Sequence, residues 1–295
     1  PRSRDPFRWA ASLLVGSQHT YRGAPYRPSP DPRHLPKVME RTAQTVIPRK
    51  QDIAERFARS ISTYETAGVV QREISEQLIS LIEPIECGTV LEIGCGTGLL
   101  SSLLVERLRG CRFIYNDLSP EMERPLRQKV GTSGFFLPGD AERIDWPREC
   151  SVIASASCIQ WWEDPLSFFS KSYDALTLGG QLVFSTFLPD NLSELSEVTG
   201  VGLHYPDSEE IERGLQRAGF RDIQLHQYRR SLYFPTLIEL LRHLRNTGTN
   251  SLGSGGLLTP RRLGAMEQTY RENLNLSQCA SLPLTYVGLL GFGRR

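Results

Sequence analysis

The 295-residue sequence lacks a long hydrophobic run: no stretch approaches the ~18 consecutive apolar residues that a membrane span needs. It also lacks a C-x-x-C pair, and no histidine lies at ligand spacing from any of its six cysteines, so we expect no zinc or other metal site. No internal repeat of solenoid period is present. These absences favour a globular protein with free thiols in a reducing cytoplasm.

The sequence also has no large excess of either charge, because its formal net charge is +1. Basic and acidic residues are nevertheless unevenly distributed along the chain. Residues 1–50 carry 10 basic and 3 acidic side chains, residues 51–220 carry 14 and 26, and residues 221–295 carry 10 and 4. The basic C-terminal part suits a polar or acidic partner surface. A merely solvated face is the alternative.

The first 50 residues are rich in proline and arginine, as in the run PYRPSPDP at residues 25–32. Repeated prolines remove backbone donors and break helices, so we expect a poorly ordered extension here. A transit peptide is an alternative interpretation, as is an upstream extension before a start at Met39. The folded domain is predicted to comprise residues 51–295.

Within that domain, strand-like and helix-like patterns alternate. Predicted strands cover residues 89–93, 112–116, 135–137, 151–155, 181–187, 222–233 and about 284–292. Predicted helices cover residues 52–60, 69–82, 99–108, 165–176, 208–218, 236–244 and 260–273, and another begins beyond Pro120 with Glu121 in its first turn. The pair Gly179-Gly180 is expected to end the helix at 165–176. This alternation predicts a Rossmann-like α/β fold with a mostly parallel seven-stranded sheet and helices on both faces. A helical cap is expected at about residues 235–280, between the last two strands.

The strongest motif is VLEIGCGTG at residues 90–98, where a buried strand enters a glycine-rich turn that leads into a helix. Glycine lets the backbone approach a ligand closely, and the first N–H groups of the helix point at that ligand. The dinucleotide fingerprint is G-x-G-x-x-G, whereas here the third glycine, Gly98, comes one residue early. The turn therefore favours a methyltransferase-type nucleoside site.

Acidic residues stand near the ends of three strands: Glu92 before the turn, Asp117 after the second strand and Asp140 after the third. Asp117 is suited to the ribose hydroxyls and Asp140 to the adenine amine, although each acid alone fits a surface or capping role equally well. Trp161, after the fourth strand, is suited to the sulfonium, which an aromatic face stabilises by ~0.5–2 kcal/mol. The predicted cofactor is S-adenosylmethionine, bound by Glu92, Gly94, Cys95, Gly96, Thr97, Gly98, Asp117, Leu118, Asp140, Ala141 and Ser157.

From about residue 52 to residue 295 the sequence resembles the malonyl-acyl-carrier-protein O-methyltransferases of biotin synthesis, the BioC family of class I methyltransferases. SASCIQW at 155–161 resembles the family's S-N-A-A-L-Q-W, with Ala156 in place of the usual asparagine. LRHLRNTGTN at 241–250 resembles L-L-R-x-L-K-x-x-G-A-x-N, and LTY at 284–286 resembles L-x-x-T-Y. The stretch YPD at 205–207 departs from the family pattern.

The resemblance implies methyl transfer to the free carboxylate of malonyl-acyl carrier protein, an early step of biotin (pimeloyl) synthesis. A carboxylate is bound best by arginine, so Arg242 and Arg245 in the insertion are candidates for a clamp, and Tyr64, Gln160 and Trp161 are further candidate catalytic residues. Acyl carrier protein, which is acidic, is the expected partner. Candidate contacts with it are Arg229, Arg230, Arg261 and Arg262.

A methyltransferase for another small molecule, such as a quinone or phenol precursor, is the main alternative. That chemistry needs a base, for which His204 or His243 is available. A nucleic-acid methyltransferase is disfavoured because a target-base motif such as N-P-P-Y is missing. A binding module without activity is disfavoured by the intact glycines and acids. We therefore expect neither a nucleic-acid nor a membrane partner.

Overall fold

The structure is a computed structural model that describes residues 44–45, 49–249 and 259–295. All of them lie in the compact unit Arg41–Arg295. The proline-rich run, Met39 and residues 250–258 of the insertion lie outside the described residues. The described fold includes a strand at Gln44–Thr45 and a helix that begins at Lys50, so it starts upstream of the predicted boundary at residue 51.

The described residues form nine strands and nine α-helices. The strands are β1 (Gln44–Thr45), β2 (Thr89–Ile93), β3 (Arg112–Asp117), β4 (Phe135–Pro138), β5 (Cys150–Ser155), β6 (Leu176–Phe187), β7 (Val201–Gly202), β8 (Arg221–Phe234) and β9 (Leu282–Arg294). The helices are α1 (Lys50–Ala67), α2 (Val69–Leu81), α3 (Leu99–Arg107), α4 (Glu123–Val130), α5 (Ser167–Ala175), α6 (Ser193–Thr199), α7 (Ser208–Ala218), α8 (Leu237–Asn246) and α9 (Pro260–Asn273). Short 3₁₀ turns cover Pro120–Met122 and Ile159–Trp161.

Seven strands form one sheet in the order β4-β3-β2-β5-β6-β9-β8. All neighbouring pairs are parallel except that β9 runs antiparallel to both β6 and β8. The predicted Rossmann-like fold is confirmed. Because β2, β3, β4 and β5 are parallel, their carboxyl ends share one edge of the sheet, where ligands bind in such folds.

The core has two layers because successive residues of each buried strand point to opposite faces. Val90 of β2 packs in a cluster with Leu78 of α2 and Leu104 of α3. Its neighbour Leu91 packs in a second cluster with Phe168 of α5. Burying such a side chain contributes about 1.5–3 kcal/mol, so the two clusters hold the helices against both faces of the sheet and support the strand that leads into the glycine-rich turn.

The prediction that Gly179-Gly180 ends a helix is wrong. Helix α5 ends at Ala175, β6 begins at Leu176, and the glycine pair lies inside that strand. The register against β5 shifts here: Cys150 pairs with Leu176, but Val152 pairs with Gln181, so β6 carries extra residues. Gly179 has φ +79°, a conformation that favours glycine, and it therefore serves a bulge rather than a helix end.

Within the part of the chain that the structure describes, no helix is long and apolar enough to cross a bilayer. In the same residues, no group of three or more His, Cys, Asp or Glu side chains is placed to hold a metal ion.

Candidate active site

The turn between β2 and α3 brings backbone donors to the edge of the sheet. The N–H groups of Gly94 and Cys95 donate to the Asn116 carbonyl, each at 2.9 Å, which ties the turn to β3. A Cβ on Gly94 would overlap the Cys158 sulfur, whereas a Cβ on Gly96 would meet no atom of the described residues within 4 Å. Gly94 is therefore required by packing, and Gly96 borders open space at φ +51°.

Asp117, the last residue of β3, points at this turn. Its Oδ2 accepts from the Gly96 N–H at 2.8 Å, and its Oδ1 accepts from the Ser119 N–H at 2.9 Å. Burial raises the pKa of Asp117 to about 6, although these backbone hydrogen bonds favour the ionised form. Each carboxylate oxygen can accept a further hydrogen bond, so Asp117 can also bind a ligand that lies against the turn.

An open cleft of about 800 Å³ lies over this edge of the sheet and is lined by most of the predicted site residues, namely Tyr64, Gly94, Gly96, Thr97, Asp117, Leu118, Asp140, Ala141, Ser157 and Trp161. A smaller cavity adjoins it, with about 330 Å³ of space when its open mouth is included; it shares Tyr64, Gly94, Gly96, Thr97 and Ser157 with the cleft and adds Glu92 and Cys95. Gly98, Gln160, Arg242 and Arg245 line neither cavity. The structure thus brings twelve of the sixteen predicted residues to one place.

Helix α1 covers the cleft with Lys50, Ile53, Ala54 and Phe57, none of which the sequence reasoning assigned to the site. The Lys50 ammonium pairs with the carboxylates of Asp140 (3.3 Å) and Glu142 at the carboxyl end of β4. The signal in the sequence is the i, i+4 spacing of Ile53 and Phe57, which places both on one face of the predicted helix 52–60.

The other end of α1 is attached to the glycine-rich turn through Glu65. Its carboxylate accepts from the Thr97 hydroxyl at 2.9 Å and pairs with the Lys129 ammonium. Burial alone would raise the pKa of Glu65, but the hydrogen bonds from Lys129 and Thr97 bring it below its usual value. Helix α1 is therefore held at both ends over the cleft.

The smaller cavity carries two buried oxygen atoms with no partner among the described residues, Oε2 of Glu92 and Oε1 of Gln71. Glu92 is 2% exposed, and burial is the main cause that raises its pKa to about 8. Buried polar atoms are normally hydrogen-bonded, so these oxygens indicate a ligand that donates hydrogen bonds or carries a positive charge.

Ser157 and Trp161 line the large cleft beyond the end of β5. Ser157 has φ +51°; its N–H donates to Ser185 Oγ at 2.9 Å, and its carbonyl accepts from Gln160 Nε2 at 2.7 Å. Gln160 is thus buried behind the wall of the cleft, where it supports Ser157. The Trp161 ring packs edge-on against Phe57, with centroids 5.7 Å apart.

The basic side chains of the insertion lie elsewhere. Arg242 and Arg245 are exposed on α8, and their predicted role as a carboxylate clamp stays a prediction. His204 is exposed as well, whereas His243 Nε2 lies 2.9 Å from the Tyr286 hydroxyl and burial lowers its pKa. Neither histidine lines the cleft.

Residues 91–184 match the family model described as "Methyltransferase domain". The malonyl-[acyl-carrier protein] O-methyltransferase of Bacteroides thetaiotaomicron is 37% identical over 251 residues, which are 80% of this chain and 95% of that protein. The chain belongs to the malonyl-[acyl-carrier protein] O-methyltransferase family.

Solved structures agree on the fold of this family member. The YcgJ protein of Bacillus subtilis superposes with a TM-score of 0.57 at 13% identity, over 76% of this chain and 98% of that chain. A Haemonchus contortus phosphoethanolamine N-methyltransferase, solved in complex with S-adenosyl-L-methionine, gives a TM-score of 0.52 at 19% identity, over 80% of this chain and 57% of that chain. These likenesses show the class I methyltransferase fold.

The segment of the insertion that carried the family resemblance packs on α1. A Cβ on Gly248 would lie 2.8 Å from the Phe57 ring, so only glycine fits there without displacing the ring. The Thr63 hydroxyl of α1 donates to the Asn246 carbonyl at 2.9 Å. In this family member, the end of α8 therefore helps to hold Phe57, and with it the cover of the cleft.

Proposed function

We propose that this protein transfers a methyl group from S-adenosylmethionine to the free carboxylate of malonyl-acyl carrier protein in the cytoplasm, an early step of biotin synthesis. The observation that carries the proposal is the position of Asp117, which points at Gly96 within an open cleft in a chain of this family. Membership of the family supports malonyl-acyl carrier protein as the acceptor, and the cleft supports a binding site for the cofactor.

The residues present fit S-adenosylmethionine. Gly96 leaves room beside Asp117 for a ribose, whose hydroxyls donate to carboxylate oxygens. The unpartnered oxygens of Glu92 and Gln71 suit the ammonium of the amino-acid part. Asp140, already paired with Lys50, stands at the far end of the cleft, where an adenine amine would find an acceptor.

When bound, S-adenosylmethionine would supply an electrophilic methyl group on a positively charged sulfur, with neutral S-adenosylhomocysteine as the leaving group. A malonyl carboxylate has a pKa near ~4, so it is ionised at pH 7 and needs no protein base. The work of this chain is then to align the carboxylate and to exclude water. Such alignment supplies several kcal/mol, up to about 7–11 in ideal systems.

The walls of the cleft favour an acceptor that is already ionised. Among the described residues no histidine lines it, and burial raises the pKa of the Cys158 thiol to about 12 and that of the Tyr64 phenol still further. Neither group takes a proton from a phenol at neutral pH, and the Asp117 carboxylate, which also lines the cleft, is assigned here to the ribose. A quinone or phenol precursor is therefore less well supported as the acceptor.

The exposed arginines of the insertion suit the protein carrier. Arg242 and Arg245 on α8 and Arg261 and Arg262 on α9 are exposed, and opposite charge accelerates docking of an acidic partner. We assign them to the docking of acyl carrier protein.

The experiment that tests the function is methyl transfer from cofactor labelled in the methyl group to malonyl-acyl carrier protein. The expected product is a methyl ester on the acyl group, seen as a mass increase that base hydrolysis removes. Succinyl-acyl carrier protein and a free phenol are the competing acceptors. Labelling of the phenol, with no ester on the malonyl group, would replace this proposal with the alternative.

A further inference from the structure

Charged side chains are arranged unevenly around the proposed active site. Of the described residues that line the two cavities, Lys50 is the one cation, and its ammonium is paired with Asp140 and Glu142 at the adenine end. Arg242 and Arg245, the expected carboxylate clamp, lie outside both cavities. The described walls offer the acceptor carboxylate no unpaired positive charge.

The unpartnered polar atoms fall into two sets. At the small cavity they are acceptors, Glu92 Oε2 and Gln71 Oε1. The other two are donors, the Trp161 indole N–H at the large cleft and the hydroxyl of Ser157, which lines both cavities; both are buried without a partner among the described residues. The first set suits the ammonium of the cofactor, and the second suits a group that only accepts hydrogen bonds, which a carboxylate does.

Tyr64 adds a third donor. Its side chain lines both cavities, and its hydroxyl makes no hydrogen bond with any other described residue. Burial is the main cause that raises the pKa of this phenol, so it keeps its proton. Tyr64 and Trp161 both pack against Phe57, with ring centroids 6.4 Å and 5.7 Å from it, so one residue holds both rings in place.

Uncharged donors also suit the chemistry. Methyl transfer converts the carboxylate into a neutral ester, so its negative charge shrinks as the transition state forms. An arginine would stabilise the starting carboxylate more than the transition state, and this would raise the barrier. Neutral donors also orient the carboxylate oxygen, but they stabilise the starting carboxylate less and therefore raise the barrier less.

We propose that the acceptor carboxylate is held by the Tyr64 phenol, the Ser157 hydroxyl and the Trp161 indole N–H, and not by an arginine of the insertion. This inference rests on the proposed function and adds to it the residues that recognise the acceptor. Recognition of the carboxylate and docking of the carrier are then carried by different residues.

The test measures the binding of two carrier-free thioesters to protein loaded with S-adenosylhomocysteine. One is the malonyl thioester of N-acetylcysteamine, and the other is its neutral methyl ester. The variants are Tyr64→Phe, Ser157→Ala and Trp161→Phe, each of which removes a donor and keeps most of the packing. Tyr233→Phe, on the exposed face of β8, is the matched control for loss of a phenol oxygen.

We expect the wild type to bind the carboxylate more tightly than its ester. Each of the three variants should lose about tenfold or more of that preference, the scale of one hydrogen bond to a charged group. Affinity for the methyl ester should stay within about twofold, which a general loss of packing would not give. Turnover of the same thioester should fall in parallel, and the control should match the wild type.

Three results overturn the inference. If the wild type methylates malonyl-acyl carrier protein but the three variants keep their preference for the carboxylate, recognition lies elsewhere. The same conclusion follows if Arg242→Gln/Arg245→Gln abolishes the preference. If the wild type forms no methyl ester on any malonyl thioester, the inference falls together with the proposed function.

Discussion

The Glu65 carboxylate of helix α1 accepts a hydrogen bond from the Thr97 hydroxyl of the glycine-rich turn, with 2.9 Å between the oxygens. This contact, together with the ion pair to Lys129, attaches the cover of the cleft to the turn that we assign to the cofactor. We therefore expect the affinity for the cofactor to depend on these contacts, which hold α1 over the cleft.

Replacing Glu65 with glutamine should weaken retention of S-adenosylmethionine by a modest factor. The Glu65 side chain is 41% exposed, and ion pairs of that exposure contribute about 0–1 kcal/mol, so we expect at most about a fivefold rise in the dissociation constant. Calorimetric titration measures it. Glu55→Gln, which breaks the exposed pair with Arg59 on the same helix, should leave the constant unchanged. Equal effects of the two variants would contradict a specific role of the Glu65 contact.

Replacing Asp117 with asparagine should reduce cofactor affinity far more. Asparagine keeps one acceptor oxygen but loses the charge, and hydrogen bonds to charged groups contribute about 1.5–3 kcal/mol, so a loss of roughly 10- to 100-fold is expected. Equilibrium binding of S-adenosylhomocysteine gives the value. Asp222→Asn, on an exposed acid at the start of β8, is the control. An unchanged affinity in Asp117→Asn would show that the ribose lies elsewhere.

Cofactor affinity should also fall in acid. Burial raises the pKa of Asp117 to about 6, so below that pH the folded, cofactor-free protein holds a proton that binding must displace. The dissociation constant should rise as the pH falls from about 7 to about 5, and Asp117→Asn should remove most of this dependence. A flat profile in the wild type would contradict the assignment of Asp117.

The contribution of Asp117 to protein stability should increase in acid, whereas cofactor affinity should decrease. In the unfolded chain an aspartate has a pKa of about 3.9, so between about pH 4 and 6 the native state binds more protons through Asp117 than the unfolded state does. The contribution of Asp117 to the free energy of unfolding therefore increases as the pH falls through this window. Urea unfolding of cofactor-free wild type and Asp117→Asn, compared at each pH, isolates this contribution.

Two glycine substitutions should separate packing from ligand binding. In Gly94→Ala the new methyl group would overlap the Cys158 sulfur, so the protein should lose stability as well as cofactor. In Gly96→Ala the methyl group contacts no atom of the described part of the chain, so the loss of stability comes only from the positive φ and amounts to about 1–2 kcal/mol. Thermal unfolding should show a folded Gly96→Ala variant with greatly weakened cofactor binding. Normal binding in this variant would mean that the ligand does not approach Gly96.

Much of the fold could be predicted where local chemistry and burial agree. Strand β2 and helices α7 and α9 have the predicted bounds because the ends are marked in the sequence. Asp207 forms a capping box with Glu210 at the start of α7, and Thr259 caps α9 just before Pro260. Helix α6 was not predicted, since it has only seven residues and a single buried side chain, Leu195.

The candidate site was predictable where the backbone itself forms it. The turn and Asp117 lie at strand ends, so the order of the motifs along the chain already places them together. Gln160 and Arg242 are different, because a family motif names the residue but not the direction of its side chain. Gln160 faces the Ser157 carbonyl. Arg242 lies exposed on α8, and only the packing of the insertion decides that exposure.

The central claim is tested most directly by incubating the protein with methyl-labelled S-adenosylmethionine and malonyl-acyl carrier protein and reading the mass of the intact carrier. We expect a gain of one methyl group on the malonyl carrier that mild base removes, and this gain should be strongly reduced with Asp117→Asn at a cofactor concentration near the wild-type dissociation constant. A carrier of unchanged mass, with the label transferred instead to a phenolic acceptor, would contradict it.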